Sequence, residues 1–551
     1  MRRILAGALF AASMGGAASA RAGQFELVQR GAEWRYLDNG SNQGTAWRAP
    51  TFDDSSWAGG AAQLGYGDGD ETTQVSYGPN SGSRYITTYF RRHFDVVNAS
   101  QVARAMVRIL RDDGAVVYLN GVEAFRDNMP GGTIGYLTTA NSALGGSDED
   151  LFVQHVIDPG LLQTGDNVIA VEIHQSGGTS SDISFDLEVL ATDGPAIVTR
   201  GPYIQRTSPT AATIRWRTDV ASDSRVEFGV APGSLGQSVS EATSTTEHVV
   251  SLANLTPSTR YYYSVGTSAE PLITNDAQFF LTHPTIGADT PVRVWAIGDA
   301  GTADLSAQRV RNGYLTFAAD ESPDVWLLLG DNAYDAGTDP EYQSAVFEMY
   351  AGIARQTAAW PTLGNHDATS AVSSSESGVY YDIFTLPRMA ESGGLASGTE
   401  AYYSFDYGTV HFVCLDSQDS SRSPAGAMLT WLEADLADTT ADWIIAYWHH
   451  PPYTDGSHDS DDPADSGGRM GDMRQNALPI LEAAGVDLVL TGHSHSYERS
   501  MLLDGHYGTS NTLTPAMVVD DGDGDETGDG AYRKPTLGLG ANEGAVYVVA
   551  G

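Results

Sequence analysis

Val325-Trp326-Leu327-Leu328-Leu329-Gly330-Asp331-Asn332-Ala333-Tyr334 sets the pattern by which the C-terminal half of this chain is read. A short apolar run of this kind reads as a buried strand, and it ends on glycine followed by polar side chains. Four more runs between Pro291 and Gly551 do the same. Val292 to Ile297 leads to Gly298-Asp299-Ala300-Gly301, and Trp360 to Leu363 precedes Gly364-Asn365-His366-Asp367. Trp443 to Trp448 ends in His449-His450-Pro451-Pro452, and Val486 to Leu490 leads to Gly492-His493-Ser494-His495. In an α/β sheet the loops after the carboxyl ends of strands meet at the ligand crevice, so these five ends should aim Asp, Asn and His at one locus. The glycines before most of them are expected to let the backbone turn sharply there. Helical stretches at Ser306 to Asp320, Pro340 to Ala354 and Met428 to Ala437 alternate with the runs, as an α/β domain requires.

Carboxylate, amide and imidazole together suit transition metals better than calcium, which takes oxygen ligands. Two metals about 3.5–4 Å apart can clamp the attacking and leaving oxygens of a phosphoryl displacement, and bound water then supplies the nucleophile. Each residue also has a plainer reading. Asp299 could cap the following helix, Tyr334 could belong to the core, and either His449 or His450 could be the ligand, with the His-X-Pro spacing favouring His449. His411 and His506 fit no motif.

The five blocks, in this order, resemble the calcineurin-like metallophosphoesterases, and Tyr334 makes the resemblance closest to purple acid phosphatases. The likeness covers most of residues 195 to 551. It implies an α/β/β/α sandwich at 291–551 and an iron-containing binuclear centre. Asp299, Tyr334 and His495 would hold Fe3+. Asn365, His449 and His493 would hold Zn2+, Mn2+ or Fe2+, and Asp331 would bridge the two. It further implies that His366, and His458 nine positions after His449, assist hydrolysis of phosphomonoesters by a metal-bound hydroxide. A phosphodiesterase could use the same ligands; a surface-binding protein with a degenerate phosphatase domain is the rival from another class. Relatives continue past the apolar run Ala545 to Ala550, so the catalytic domain is expected to be C-terminally incomplete.

The rest of the chain is read as modules. Arg2 and Arg3 precede the apolar stretch Ile4 to Ala18, which closes on Ala18-Ser19-Ala20, the order of a signal peptide over residues 1–20 and of a secreted or periplasmic protein. Residues 24–193 show short alternating runs with hairpin signals at Asp112-Asp113-Gly114 and Leu119-Asn120-Gly121. They resemble the galactose-binding-like jelly rolls of bacterial enzymes, which implies a carbohydrate or cell-surface ligand or else a spacer. Residues 195–284, with Trp216 on an alternating strand and Tyr261 after the turn Pro257-Ser258, look like a fibronectin III sandwich and resemble the purple acid phosphatase N-terminal domain.

Composition narrows the partners. A net charge of −40 excludes nucleic acid, a polyanion that would be repelled. No apolar run after residue 20 is long enough to form a transmembrane segment. Cys414 is the only cysteine, so no internal disulfide forms, and it reads as a small buried hydrophobe. Asp520 to Glu526 alternates acids as a structural Ca2+ loop does but lacks the closing bidentate Glu, so a calcium site and a solvated loop both remain open. Ser457 to Asp465 is a second acidic stretch, either shaping access to the site or forming a lid.

Overall fold

The computed structural model describes residues 24–145, 149, 151–319, 321–524 and 531–551. The expected leader lies outside these residues, as does part of the 520–526 loop.

Residues 24–192 form two six-stranded sheets. In one, Arg104–Arg111 lies between Val153–Ile157 and Ile183–Thr192; in the other, Gly165–His174 lies between Thr87–Val96 and Gly114–Leu119. Alternate residues of the facing strands, among them Phe90, Val107, Ile109, Val117, Val171, Phe185 and Leu187, fill the core between them. Asn120 and Gly121 take positive φ and close a tight hairpin from Leu119 to Val122, as the sequence predicts. The second predicted hairpin does not form. Arg104–Arg111 and Gly114–Leu119 belong to different sheets, so Asp112-Asp113 is an arch that crosses the core edge. The arch is held by its own polar groups. Asp112 N–H donates to Ser184 O at 3.1 Å, and the Asp113 carboxylate accepts from Leu144 N–H at 2.7 Å and Ser176 N–H at 2.5 Å.

The strands from Val198 to Leu281 form a second β region. Its long strand Ala212–Gly229 pairs with Val198–Gln205 through its first half and with Arg260–Gly266 through its second. Register shifts between the halves let it bend. Trp216 is buried against His248, and the Tyr261 hydroxyl accepts from Thr256 N–H at 3.0 Å, tying the turn before it to the strand. Tyr203 donates to Ile383 O at 2.8 Å, and this region shares one continuous core with the C-terminal region.

The C-terminal region contains two main sheets, besides two small two-stranded ones. Val294–Ile297, Val325–Leu328 and Ala359–Pro361 form a parallel three-stranded sheet. A six-stranded sheet runs in the order Tyr403–Tyr407, Val410–Cys414, Trp443–Tyr447, Leu488–Thr491, Val546–Ala550, Tyr497–Arg499. Phe405, Phe412, Cys414 and Tyr447 face the small sheet, while Val413, Leu415, Ala446 and Val489 face the helices Ala427–Asp438 and Leu478–Ala484. Trp295 stacks on Tyr314 of the helix Leu305–Phe317, which covers the small sheet from outside. Cys414 is fully buried, with burial pushing its thiol up to about 12, as suits an inert core residue.

His411 departs from its plain reading. It is 1 % exposed and bonds Asp406 through Nδ1 at 2.8 Å and Asp435 through Nε2 at 2.9 Å. Burial alone would lower its pKa, but the two carboxylates outweigh burial and raise it to about 9. The folded value lies above the unfolded one, so this ion cluster stabilises the protein fully below about pH 6.5 and loses its effect as pH rises through 9. Thermal unfolding at pH 6 and pH 9.5 should show the wild type losing roughly 3 kcal/mol more than His411→Gln. Equal losses in both proteins would refute the charged cluster.

Candidate metal centre

The five strand ends meet where the two C-terminal sheets come together, three from the small sheet and two from the large one. Gly298 N–H donates to Ala550 O at 2.8 Å, which ties the edge strand of the small sheet to the strand Val546–Ala550 of the large one at this point. The glycines serve close approach more than turning. A Cβ on Gly492 would sit 2.5 Å from Asp299 Oδ2, and one on Gly364 would overlap the Asp331 backbone and carboxylate. Gly330 does turn as expected, at φ +89°, whereas Gly298, Gly364 and Gly492 do not take positive φ. Left-handed backbone falls also on the residues that follow, Asp299 at φ +51°, Asp331 at φ +51° and His493 at φ +68°. Non-glycine residues held there mark a functional constraint, and they swing these three side chains inward.

All seven residues expected as ligands are brought together. The Tyr334 hydroxyl lies 3.1 Å from Asp299 Oδ1, 3.2 Å from His495 Nε2 and 3.3 Å from Asp331 Oδ2. The second group centres on His449 Nε2, 3.0 Å from Asn365 Oδ1, 3.1 Å from His493 Nδ1 and 3.4 Å from the same Asp331 Oδ2. His449 Nδ1 donates to Leu329 O at 2.9 Å, which leaves Nε2 as the nitrogen that would bind a metal in place of a proton. His450 has its Nδ1 on the Ser417 hydroxyl at 2.9 Å, away from Asp331 and Asn365, although its ring lies beside His493. Asp299 caps no helix: Asp304 caps Leu305–Phe317 by accepting from Ala307 N–H.

His366 stands at the open side, one-third exposed, with Nδ1 donating to Asp335 O at 2.6 Å and Nε2 4.0 Å from Asp331 Oδ2. His458 stacks on His493 with ring centres 4.0 Å apart, and its Nδ1 bonds Asp465 at 2.9 Å. The segment 457–466 therefore packs on the site. Ser466 Oγ is 2.6 Å from His493 Nε2, and Ser457 Oγ accepts from His495 N–H at 3.0 Å.

The electrostatics follow from this crowding. Burial pushes the Asp331 carboxyl up, but the His449 charge, its hydrogen bond and the His366 N–H outweigh burial and hold it well below the usual range. Burial lowers His449, and the Asp331 charge more than reverses this, to about 9. His493, next to His449, is driven down to about 3 by burial and by that neighbouring charge. Burial, then the charges of Asp299 and Asp331, push the Tyr334 phenol far above its ordinary value. One phenolic proton serves three close neighbours, and two carboxylates face each other across it. Cations satisfy such a donor set better than protons do.

Sequence reasoning gave Asp367 no role, and the fold gives it a large one. It is fully buried and accepts from Gly364 N–H at 2.9 Å, Asn332 N–H at 3.2 Å, Asn332 Nδ2 at 3.1 Å and the Tyr342 hydroxyl. It thereby joins the loop of Asp331 to the loop of Asn365. Its signal was visible, an acid two positions after a proposed ligand. Asp465 closes the acidic stretch already read as shaping access to the site, whereas Ser466 had no comparable signal.

Comparison with known proteins agrees with this geometry. Residues 292–497 match the calcineurin-like phosphoesterase family, and residues 200–282 match the purple acid phosphatase N-terminal domain. Purple acid phosphatase 23 of Arabidopsis thaliana is 28 % identical over 280 residues, which are 46 % of this chain and 57 % of that protein. Purple acid phosphatase 15 of the same plant is 28 % identical over 283 residues, 46 % of this chain and 49 % of its own. The chain thus spans about half the length of these curated relatives. The solved purple acid phosphatase from yellow lupin (Lupinus luteus) seeds aligns with 85 % of this chain and 84 % of its own at TM-score 0.48 and 15 % identity, too remote to add to the argument. The chain thus carries a calcineurin-like metallophosphoesterase domain directly following a purple acid phosphatase N-terminal domain.

Proposed function

We propose that this protein is a binuclear-metal phosphatase that hydrolyses phosphomonoesters. The observation that carries the reading is the shared oxygen. Asp331 Oδ2 lies in contact distance of both ligand groups, the one around Tyr334 and the one around His449. Asp299, Tyr334 and His495 would hold an iron ion, Asn365, His449 and His493 a zinc, manganese or second iron ion, and Asp331 would bridge them. Two metals there would supply Lewis acidity toward the phosphate and make water a nucleophile near neutral pH. The chain itself supplies orientation and a proton. Leu329 O and Asp335 O fix the tautomers of His449 and His366. His366 Nε2, free at the exposed side, is placed to contact the phosphate and to give a proton to the leaving oxygen. His458, held by Asp465, extends the same wall.

The test is metal analysis joined to a visible spectrum. A purple-type centre should contain iron and absorb in the visible through Tyr334, and Tyr334→Phe should lose that band while keeping the fold. An iron-free enzyme, or a band unchanged in Tyr334→Phe, would remove the purple-type assignment. Comparing p-nitrophenyl phosphate with its bis ester separates monoesterase from diesterase, and a preference for the diester would overturn the substrate class. Export to the periplasm or medium belongs to the same proposal, on the leader-like start; cell fractionation tests it. The jelly-roll and fibronectin III-like readings of the two β regions are likewise part of it, as supports for the catalytic domain.

A further inference from the structure

The arch at Asp112-Asp113 leaves an unsolved charge problem in the first β region. Asp112 is 0 % exposed, and among the described residues neither of its carboxylate oxygens has a hydrogen-bond donor. Its carboxyl lies within hydrogen-bonding reach of those of Asp113 and Asp182, which are acceptors too when ionised. Asp113 is already engaged by Leu144 N–H, Ser176 N–H and the Ser180 hydroxyl. Asp182, half-buried at the start of Ile183–Thr192, offers an oxygen within 4.8 Å of oxygens from Asp68 and Glu149. Asp68 in turn clusters with Asp70 and Glu71 at the same separation. An ionised, unpartnered carboxylate in the interior costs several kcal/mol unless a proton or a cation joins it.

We propose that Asp112, Asp182, Asp68 and Glu149 form a calcium site, separate from the phosphoesterase centre, that staples the arch to the loop 67–71 and to the strand Ile183–Thr192. The donor set consists entirely of oxygens, with no imidazole or thiolate. That chemistry selects a hard cation and disfavours the iron, zinc or manganese of the other centre. Calcium accepts six to eight oxygens in irregular geometry, whereas Mg2+ demands a regular octahedron and keeps its waters. The strongest charges acting on Asp68 and Asp112 are those of neighbouring carboxylates, which push Asp68 up to about 6 and, with burial as the larger cause in both, Asp112 up to about 10. A divalent cation removes that repulsion, and four chain segments far apart in sequence then share one ion.

The experiment is calorimetric titration of Ca2+ into the full chain, loaded with its transition metals and dialysed exhaustively against calcium-free buffer, with metal analysis before and after. Saturable binding of one Ca2+ is expected, with Kd of about 10⁻⁴–10⁻³ M or tighter, the range of extracellular calcium modules. A rise in Tm with added Ca2+ should accompany it. The double change Asp68→Asn/Asp182→Asn, at exposed and half-buried positions, should weaken binding at least about tenfold, each lost carboxylate lowering the ligand charge that tunes affinity. Asp112→Asn should remove the Tm response. Asp331→Asn should leave both unchanged, since it touches only the other cluster. No saturable binding at millimolar Ca2+, or binding undiminished in the double variant, would overturn the site.

Discussion

Asp331→Asn should lower kcat/KM for p-nitrophenyl phosphate by on the order of 10³-fold and strip metal from the protein while leaving the fold intact. Asn suits the position. Asp331 sits at φ +51°, where Asn is among the few side chains accepted, and an amide oxygen can still take the His366 N–H that Asp331 Oδ1 accepts at 2.9 Å. The negative charge is what disappears. Its oxygen Oδ2 lies 3.3 Å from the Tyr334 hydroxyl and 3.4 Å from His449 Nε2, so both halves of the proposed centre would lose a ligand at once. Several kcal/mol of transition-state charge stabilisation rest on each bound metal, and each 1.36 kcal/mol is tenfold in rate. Kinetics and metal content on the same preparation decide it. Full metal occupancy with activity within tenfold of wild type would show that Asp331 does not bridge.

The catalytic half was legible because its signals are local. An apolar run, a glycine and a polar pair occupy fewer than ten residues, and the fold has only to gather five such ends. What escaped lies at longer range. Asp-Asp-Gly at 112–114 reads as a hairpin because turn chemistry does not reveal whether the next strand joins the same sheet or the facing one. Ser184, Asp186 and Glu188 alternate with apolar residues and read as a solvent face, yet all three are buried. Glu188 meets Arg30 and Arg108, and both arginines also reach Glu348 of the catalytic region. A polar face can be an interface when shared arginines pair with acids from both sides of it, and the second acid, Glu348, lies some 160 residues from Glu188 in sequence. His411 is similar: its partners Asp406 and Asp435 come from a neighbouring strand and a helix, so nothing beside it foretells a buried ion cluster. The glycines were read as turn-makers because sequence shows the missing side chain and not what presses against it. The structure gives positive φ to Gly330 as expected, and otherwise to Asp299, Asp331 and His493 themselves.

Asp367→Ala should cost as much as losing a ligand, although Asp367 is not proposed to touch metal. Its carboxylate gathers Gly364 N–H, Asn332 N–H, Asn332 Nδ2 and the Tyr342 hydroxyl in a site with no exposure. Alanine leaves these donors buried without an acceptor, each at roughly 1–3 kcal/mol, so a loss of several kcal/mol in stability is expected. The loops it joins carry Asp331 and Asn365, and loosening them separates the bridging oxygen from one of the ligands of the second metal. Removing a group that orients ligands lowers metal affinity by about 10–100-fold, so Asp367→Ala should lose the His449-side metal first. Asp367→Asn separates the two effects. It retains one acceptor oxygen in nearly the same volume, and should recover most of the stability while still binding metal more weakly than wild type. Thermal unfolding and metal titration of the two variants, each on the full chain, test this. A Tm and a metal affinity in Asp367→Ala equal to those of the wild type would mean that the loops hold themselves, and that the left-handed turn at Asp331 alone positions the bridge.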